Sequence, residues 1–589
     1  MLKFKQIVAE QLSRQTSVQP AKILQSLVIP NKKKQGDLSI SIFDVDPQLR
    51  TLKPDPQLIS TRAQSIVNQF EPNQFIEQAI VEAPKIAFKF NSTEFTKEVL
   101  NQVFNEGTSY GWAHNPKTNK TVVLDYSSPN IAKKFHVGHL RSTILGNYVK
   151  RIHEAFGYKV IGINYLGDWG KQYGLLAVGY EKYGDEAQLN KDPIRHLYDI
   201  YVKINADAKD DPDVDVQANQ YFKRMEEGMD ISYSTASHFF FIMVGDPQAL
   251  AQWKRFRDLS IQSYEALYKR LDVTFDVYAG ESEAKDYISK VYNLLEQKNL
   301  ITETPDGAQL VDLTPYGLDK TPVRRADGTS LYLTRDLATL LRRKEKYNFD
   351  KAIYVVGKDQ EYYFKQVFQT ANLMLPEPVE LQHVSFGHVK GMSTRRGEVV
   401  FLEDLLNEAQ RRNVEYMQNS ENCKVDDAEL DYTADILGTS AIMIQDMKTK
   451  RALGYDFSWD KMLNPDGKTG VRIQFAHAKA CGIERRAGVP ISLDCDFTLL
   501  KEEVALHLVH MIAQFPEIVD QSFKRLEPSI ITSYLFDLMT ATNGAYKWLQ
   551  VIRQSPEVSR VRMLLFWSAR TTLRNGMYLL GINRILEKM

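Results

Sequence analysis

Between residues 121 and 165 the chain reads strand, turn, helix, strand, and that order constrains the fold more than any other feature. TVVLDY (121–126) is a short apolar run bounded by turn signals, and KVIGINY (159–165) is a second. Between them Leu140, Ile144, Tyr148, Ile152 and Phe156 recur at helical spacing until Gly157 stops the helix. Two strands joined through a helix at this spacing make a βαβ unit, and that unit requires a parallel sheet. A later run, KAIYVVG (351–357), has the composition of another buried parallel strand.

In such a sheet ligands bind beyond the carboxyl ends of the strands, where the first turn into a helix presents free backbone N–H groups and the positive helix end. Here that turn reads SSPNIAKKFHVGHLRST (127–143), with His136 and His139 flanking Gly138 and with Lys133 and Lys134 just before them. Anions belong at Gly138 to Leu140. Two imidazoles can donate to phosphate, the bare Gly138 lets a base or ribose approach the backbone, and the lysines add compact positive charge. Donors aimed at charge that develops on a phosphate are worth about 2.7–4 kcal/mol each. Taken alone, two histidines three apart would more often cap a helix or sit satisfied in a core. Zinc fits less well, because the spacing is not i,i+4 and no third ligand follows nearby.

At 589 residues the chain is too long for one core, and at roughly 150 residues per domain it should form three or four units. Residues 1 to about 115 read as an α+β unit: a helix near 3–15, a polar turn at NKKKQGD, the strand-like LSISIF, a helical stretch and IAFKF. From about 430 to the end long helical periodicities dominate, as in a helical bundle. No apolar run approaches the roughly 20 residues of a membrane span. Cys423, Cys481 and Cys495 lack CxxC spacing, so neither a disulfide framework nor a zinc cluster is indicated and no metal site is expected. Lys plus Arg and Asp plus Glu number 74 each, so only local basic clusters, at Arg342–Lys346 and Lys448–Arg451, offer themselves to a polyanion.

The tetrad HVGH, preceded by SSPNIAK and followed by LRST, resembles the HIGH motif of class I aminoacyl-tRNA synthetases, specifically the arginyl-tRNA synthetases. Further blocks follow in that family's order: NYLGDWG (164–170), YAGES (278–282), TSLYLTRDLA (329–338), YVVGKDQEYYFKQVF (354–368) and GMSTRRG (391–397). The resemblance covers nearly the whole chain and is weakest before residue 115. It implies an α/β protein with a Rossmann-like doubly wound parallel-sheet catalytic domain (116–429), carrying a helical insertion at about 180–275. An N-terminal α+β domain (1–115) that touches the tRNA elbow and a C-terminal all-α helical anticodon-binding bundle (430–589) complete it. It also implies an arginine–tRNA ligase, with ATP as substrate, Mg²⁺ accompanying the ATP, L-arginine and tRNA(Arg) as partners, and a monomer without membrane attachment.

The same resemblance assigns Ser128, Pro129, Asn130 and His139 to the amino acid's α-amino and carboxylate end, with Pro129 stiffening the loop. His136, Gly138 and His139, with Met392 and Ser393, would take the ATP. The substrate's guanidinium is a rigid fork that planar acceptors meet bidentately, which suits Asp336 and Glu281. Tyr332 lies one helical turn before Asp336, so both side chains are expected to face one pocket, and Gln360 supplies a neutral amide near the substrate's polar end. Taken one at a time, Asp336 would be a helix-start acid, Glu281 a surface acid, Tyr332 core and Gln360 a strand-end polar residue. Where many class I enzymes carry KMSK this chain has GMSTRRG, with Thr394 in place of the last lysine. Lys133 is then the first choice for the compensating cation, with Arg395 and Arg396 as others. RNA bases are read by stacking and edge hydrogen bonds, which nominates Trp459, Phe475, His477 and Lys479 for the anticodon, although Trp459 also suits core packing.

Within the family, AKKFHVGH, WKRFRDLSI (253–261) and TRRGEVVFLEDLLNE (394–408) resemble the animal mitochondrial form, implying the mitochondrial matrix with the cytoplasm as alternative. The first 35 residues carry seven lysines and arginines against Glu10 alone, as a transit segment would, yet Phe4, Ile7, Val8 and Leu12 also fit the core face of a domain helix. MDISYSTASHFFFIMV (229–244) fits neither pattern nor family and reads as an extraneous insertion, with a lineage-specific loop as alternative. Two rival functions are a synthetase-like protein that binds tRNA without charging it and a small-molecule nucleotidyltransferase; the latter would not need the C-terminal helices.

Overall fold

Residues 1–30, 36–50, 55–131, 135, 137–227, 246–391, 401–420, 423, 425–464 and 467–589 are described by the computed structural model. Lys133, His136, Met392, Ser393, Arg395 and Arg396, and the whole of 229–244, lie outside the described residues.

The N-terminal unit packs helices on the antiparallel sheet formed by β1 (Leu38–Ser41), β2 (Ile76–Glu82) and β3 (Lys85–Phe90), in the order β1-β3-β2. The first helix, Leu2–Gln15, lays Phe4, Val8 and Leu12 into this core, and the Phe4 ring meets those of Phe75, Phe90 and Phe95 at 5.6, 4.7 and 5.1 Å. These residues therefore serve as a domain helix, and its removal would open the core. Asn91 accepts from Thr93 N and Glu94 N and so starts the helix Ser92–Glu106 that leads away from the unit.

The central sheet contains β4 (Thr121–Asp125), β5 (Lys159–Leu166) and β6 (Val277–Gly280). After a small antiparallel sheet of β7 (Ile301–Glu303), β8 (Gln309–Val311) and β9 (Thr321–Arg324), it regains β10 (Lys351–Tyr354) and β11 (Glu380–His383). Its order is β11-β10-β4-β5-β6 with every pairing parallel. Successive residues of a strand face opposite sides. Val122 and Leu124 accordingly enter one core, while Val123, with Ile163 and Ala352, enters the other. Strand order runs one way from β4 to β6 and the other way from β10 to β11, so the direction reverses between β4 and β10. The crevice outside their carboxyl ends is where a doubly wound sheet takes its ligand.

The helix Val137–Ala155 packs on this sheet, and a left-handed Gly157 (φ 78°) closes it. Helices Lys171–Tyr183, Glu186–Lys191, Pro193–Asp210, Pro212–Glu227 and Pro247–Arg270 separate β5 from β6. Beyond Asp427–Met447 the chain is almost wholly helical: Gly470–Ala487, Glu503–Arg525, Pro528–Trp548 and Pro556–Leu579 are its long elements. Between them the two-residue β13 (Tyr455–Asp456) returns to pair in parallel with β12 (Val389–Lys390). No helix among the described residues is long and apolar enough to cross a membrane.

At Gly146 an added Cβ would lie 2.2 Å from the Tyr126 ring, so this glycine lets the helix approach the sheet. Gly146→Ala should lower stability by about 1–3 kcal/mol, the usual cost of overpacking, read as a lower first thermal transition.

Candidate active site

β4 ends at Asp125, and the turn beyond it is strained. Ser127 (φ 71°) and Ser128 (φ 49°) both occupy the left-handed region, which non-glycine residues hold only when their surroundings impose it. The surroundings here are hydrogen bonds. Ser127 N donates to Ser142 Oγ (2.9 Å), which donates to Val355 O beyond β10 (2.7 Å), and Ser127 Oγ meets Tyr268 Oη at 2.7 Å. Thr143 Oγ1 reaches Ser127 Oγ at 2.7 Å. Ser128 Oγ donates to Asp125 Oδ1 (2.7 Å) and accepts from Tyr165 N (3.3 Å). Its one proton points inward, which leaves a lone pair, suited to an ammonium, for a ligand.

Asn130 continues the turn as a parallel bridge to Gly167, fixed by Gly167 N to Pro129 O (3.2 Å) and Ile131 N to Gly167 O (3.3 Å). A Cβ at Gly167 would lie 1.7 Å from Asn130 Oδ1, so the asparagine amide occupies the space that only glycine leaves. Gly138 is exposed and His139 half-buried in the first turn of the following helix, with the His139 ring 5.4 Å from that of Phe135. The expected cations Lys133, Arg395 and Arg396, with His136, Met392 and Ser393, fall outside the described residues, so of the residues expected at the ATP only Gly138 and His139 are described.

The LRST that follows HVGH is a lock. Arg141 is buried, and its guanidinium donates to Gly387 O and to Leu453 O (2.9 Å) and stands 3.2 Å from Asp446 Oδ1. It thereby joins the helix start to the strand pair β12–β13 and to the helix Asp427–Met447. Burial pushes the Asp446 carboxyl up to about 6 against the pull of Arg141.

Acids gather on the other side of β4. Asp336, on the helix Tyr332–Tyr347, turns its carboxyl inward and accepts from Tyr363 Oη. Burial raises it to about 6, although Tyr363 and the nearby Arg343 favour its charged form. Glu281 follows β6 directly. Burial holds the Tyr165 phenol well above its ordinary value, and the charges of Asp336 and, more weakly, Glu281 push the same way. The Tyr165 hydroxyl itself meets Thr339 Oγ1 at 3.0 Å. Beneath them Arg343 donates to Asp125 Oδ2 (2.6 Å), with its guanidinium over the rings of Tyr165 and Tyr354.

Burial above all raises the phenol of Tyr363 beside Asp336, and the charge of Tyr332, the first residue of its helix and 74% exposed, adds to it. One expectation requires correction. His477 is buried, with Nδ1 2.9 Å from Leu586 O, and burial lowers it to about 4, so it faces the core and offers no edge to RNA. Gln360 is exposed beyond β10 and donates to Asp359 Oδ2 (3.2 Å). Trp459 is half-buried between Phe457, whose ring packs edge-on at 5.0 Å, and Arg412, whose guanidinium covers it at 4.9 Å. Phe475 (49% exposed) and Lys479 share an outer helix face, and Trp548, absent from the sequence reading, is 73% exposed.

The family described as "tRNA synthetases class I (R), catalytic domain" matches residues 99–459, and the "DALR anticodon binding domain" matches 473–589. The chain is 40% identical to the cytoplasmic arginine–tRNA ligase of Saccharomyces cerevisiae, covering 99% of this chain and 94% of that one. It is likewise 40% identical to the probable mitochondrial arginine–tRNA ligase of Mus musculus, covering 99% of both. The chain belongs to the arginyl-tRNA synthetase family. The arginyl-tRNA synthetase of Thermus thermophilus shares the fold, with a TM-score of 0.79 at 21% identity over 99% of this chain and 98% of that one. As an arginyl-tRNA synthetase family member the chain is an aminoacyl-tRNA ligase with a parallel-sheet catalytic core and a helical C-terminal region.

Removing one partner of a buried pair costs about 3–5 kcal/mol, whereas an apolar replacement of both is near neutral. Arg141→Met should therefore depress the thermal transition strongly, and adding Asp446→Leu should recover only the part due to the unpaired carboxylate, since Gly387 O and Leu453 O still lack their donor.

Proposed function

We propose that the chain activates L-arginine with ATP and then charges tRNA(Arg). The arginine carboxylate attacks the α-phosphorus, pyrophosphate leaves, and a hydroxyl of the 3′-terminal adenosine then displaces AMP from the carbonyl. The observation that carries this reading is the inward-turned Asp336 held by Tyr363, with Glu281 directly beyond β6, at the same end of the sheet as the helix start at Gly138 and His139. Acceptor-only groups suit a guanidinium, and a helix start suits the phosphates. Ser128 and Asn130, on the turn between, suit the amino acid's α-amino and carboxylate end. Gln360 lies beyond the neighbouring strand, and Tyr332 stands exposed at the start of the Asp336 helix. Mg²⁺ accompanies the nucleotide phosphates in this proposal. Lys133, with Arg395 and Arg396, supplies their countercharge.

We assign the catalytic role to residues 116–429, the elbow of tRNA to 1–115, and the anticodon to the bundle 430–589, through its exposed Phe475 and Lys479. Service to mitochondrial translation is the finer part of the reading. The mouse mitochondrial relative supports it as far as the yeast cytoplasmic relative, at equal identity, supports the cytoplasm. ATP-dependent charging of mitochondrial and cytosolic tRNA pools with each of the twenty amino acids tests both levels. Charging with arginine alone is expected, and no charging with arginine would overturn the activity.

The acid pair also sets a pH dependence. Asp336 must be ionised to hold a guanidinium, and in the free protein it titrates at about 6. The KM for arginine should be flat above that pH and rise about tenfold per unit below it, while the KM for ATP does not follow. Tyr363 donates to the charged form, so Tyr363→Phe should move this limb to higher pH. Asp336→Asn should abolish arginine use with the fold retained by circular dichroism.

A further inference from the structure

We infer that Asp168 is the positioning residue that aims Glu281 at the cationic end of the substrate. The inference rests on the reading of Glu281 as an arginine acceptor. Asp168 lies just beyond β5 and Glu281 just beyond β6, and these neighbours pair in parallel up to Leu166 and Gly280, so their loops leave the sheet side by side. Asp168 is fully buried. One carboxylate oxygen accepts from Ser282 N (3.0 Å), and the other accepts from Ser282 Oγ (3.0 Å) and Arg257 Nε (2.8 Å). A Cβ at Gly280 would lie 2.1 Å from Asp168 Oδ2, so the glycine is what lets the carboxylate cross the turn. Glu281 is thus held on both flanks, by contact at 280 and by two hydrogen bonds at 282.

Three donors converge on this carboxylate, and that requires a group that only accepts. An amide would turn an NH₂ toward Arg257 or Ser282 and break the convergence. The clamp is itself anchored from the inserted helix Pro247–Arg270: Trp253 Nε1 donates to Asp168 O (2.7 Å), and Arg257 also reaches Tyr278 O (3.3 Å). Arg257 pairs with the buried carboxylate, so Asp168 can hold the turn without competing with Glu281 for a bound cation. A core acid with no such role would tie down the loops without favouring one substrate over another.

Charging kinetics of the full chain test this with Asp168→Asn, Ser282→Ala and Glu281→Gln. Asp168→Asn is expected to raise the KM for arginine about tenfold or more, the size of one lost hydrogen bond to a charged group, with the KM for ATP unchanged. Ser282→Ala keeps the backbone donor and should give a smaller rise in the same direction with an unchanged thermal transition. It carries the test should Asp168→Asn fail to fold. A rise shared equally by arginine and ATP, or no rise in either variant while Glu281→Gln raises the arginine KM, overturns this inference alone. An unchanged arginine KM in Glu281→Gln overturns the arginine-site reading, and this inference with it.

Discussion

The pair between Asp125 and Arg343 is the constraint on which the rest of the site depends. Both side chains are buried at the carboxyl end of β4, where each charge depends on the other to offset its loss of water. Asp125 uses its other oxygen on Ser128, and the Arg343 guanidinium lies over Tyr165 from β5 and Tyr354 from β10. One ion pair therefore joins three adjacent strands, the strained turn and the helix that carries Asp336. Its polarity matters as well. Tyr363 and, less strongly, Arg343 favour the ionised form of Asp336 against its burial, which raises the carboxyl to about 6.

Around that hub the work divides by strand. The turn after β4 carries Ser128 and Asn130 and leads to the helix that starts at Val137. The ends of β6 and the helix after β9 build the acid end. The inserted helices between β5 and β6 are structural to both: Tyr264 Oη and Tyr268 Oη reach the main chain of Asn130 and the side chain of Ser127, and Trp253 and Arg257 reach Asp168. Arg141 ties this centre to the C-terminal helices, and Tyr148 on the same helix joins them again at Ser522.

Legibility in the sequence followed the range of each interaction. The βαβ unit at 121–165 was readable because apolar spacing and Gly157 are local signals. The strands β7, β8 and β9 left no trace because three or four residues are too few for a period. His477 was misassigned because its burial depends on Leu586, which is remote in the chain. Asp125, Arg343, Tyr363, Asp168 and Arg141 carry no local signature, since a buried charge becomes visible only when its partner, often more than a hundred residues away, is in place.

The sequence by itself determined a parallel sheet, a helix start suited to anions and, through ordered motifs, the family. Hydrophobic period, glycine placement and motif order are properties of neighbouring residues, so they survive without coordinates. The tertiary structure alone decided which strands flank β4, which tyrosine holds Asp336, and which buried charges are paired. Those are contacts between distant segments, and a charge removed from water finds its partner only in the folded chain.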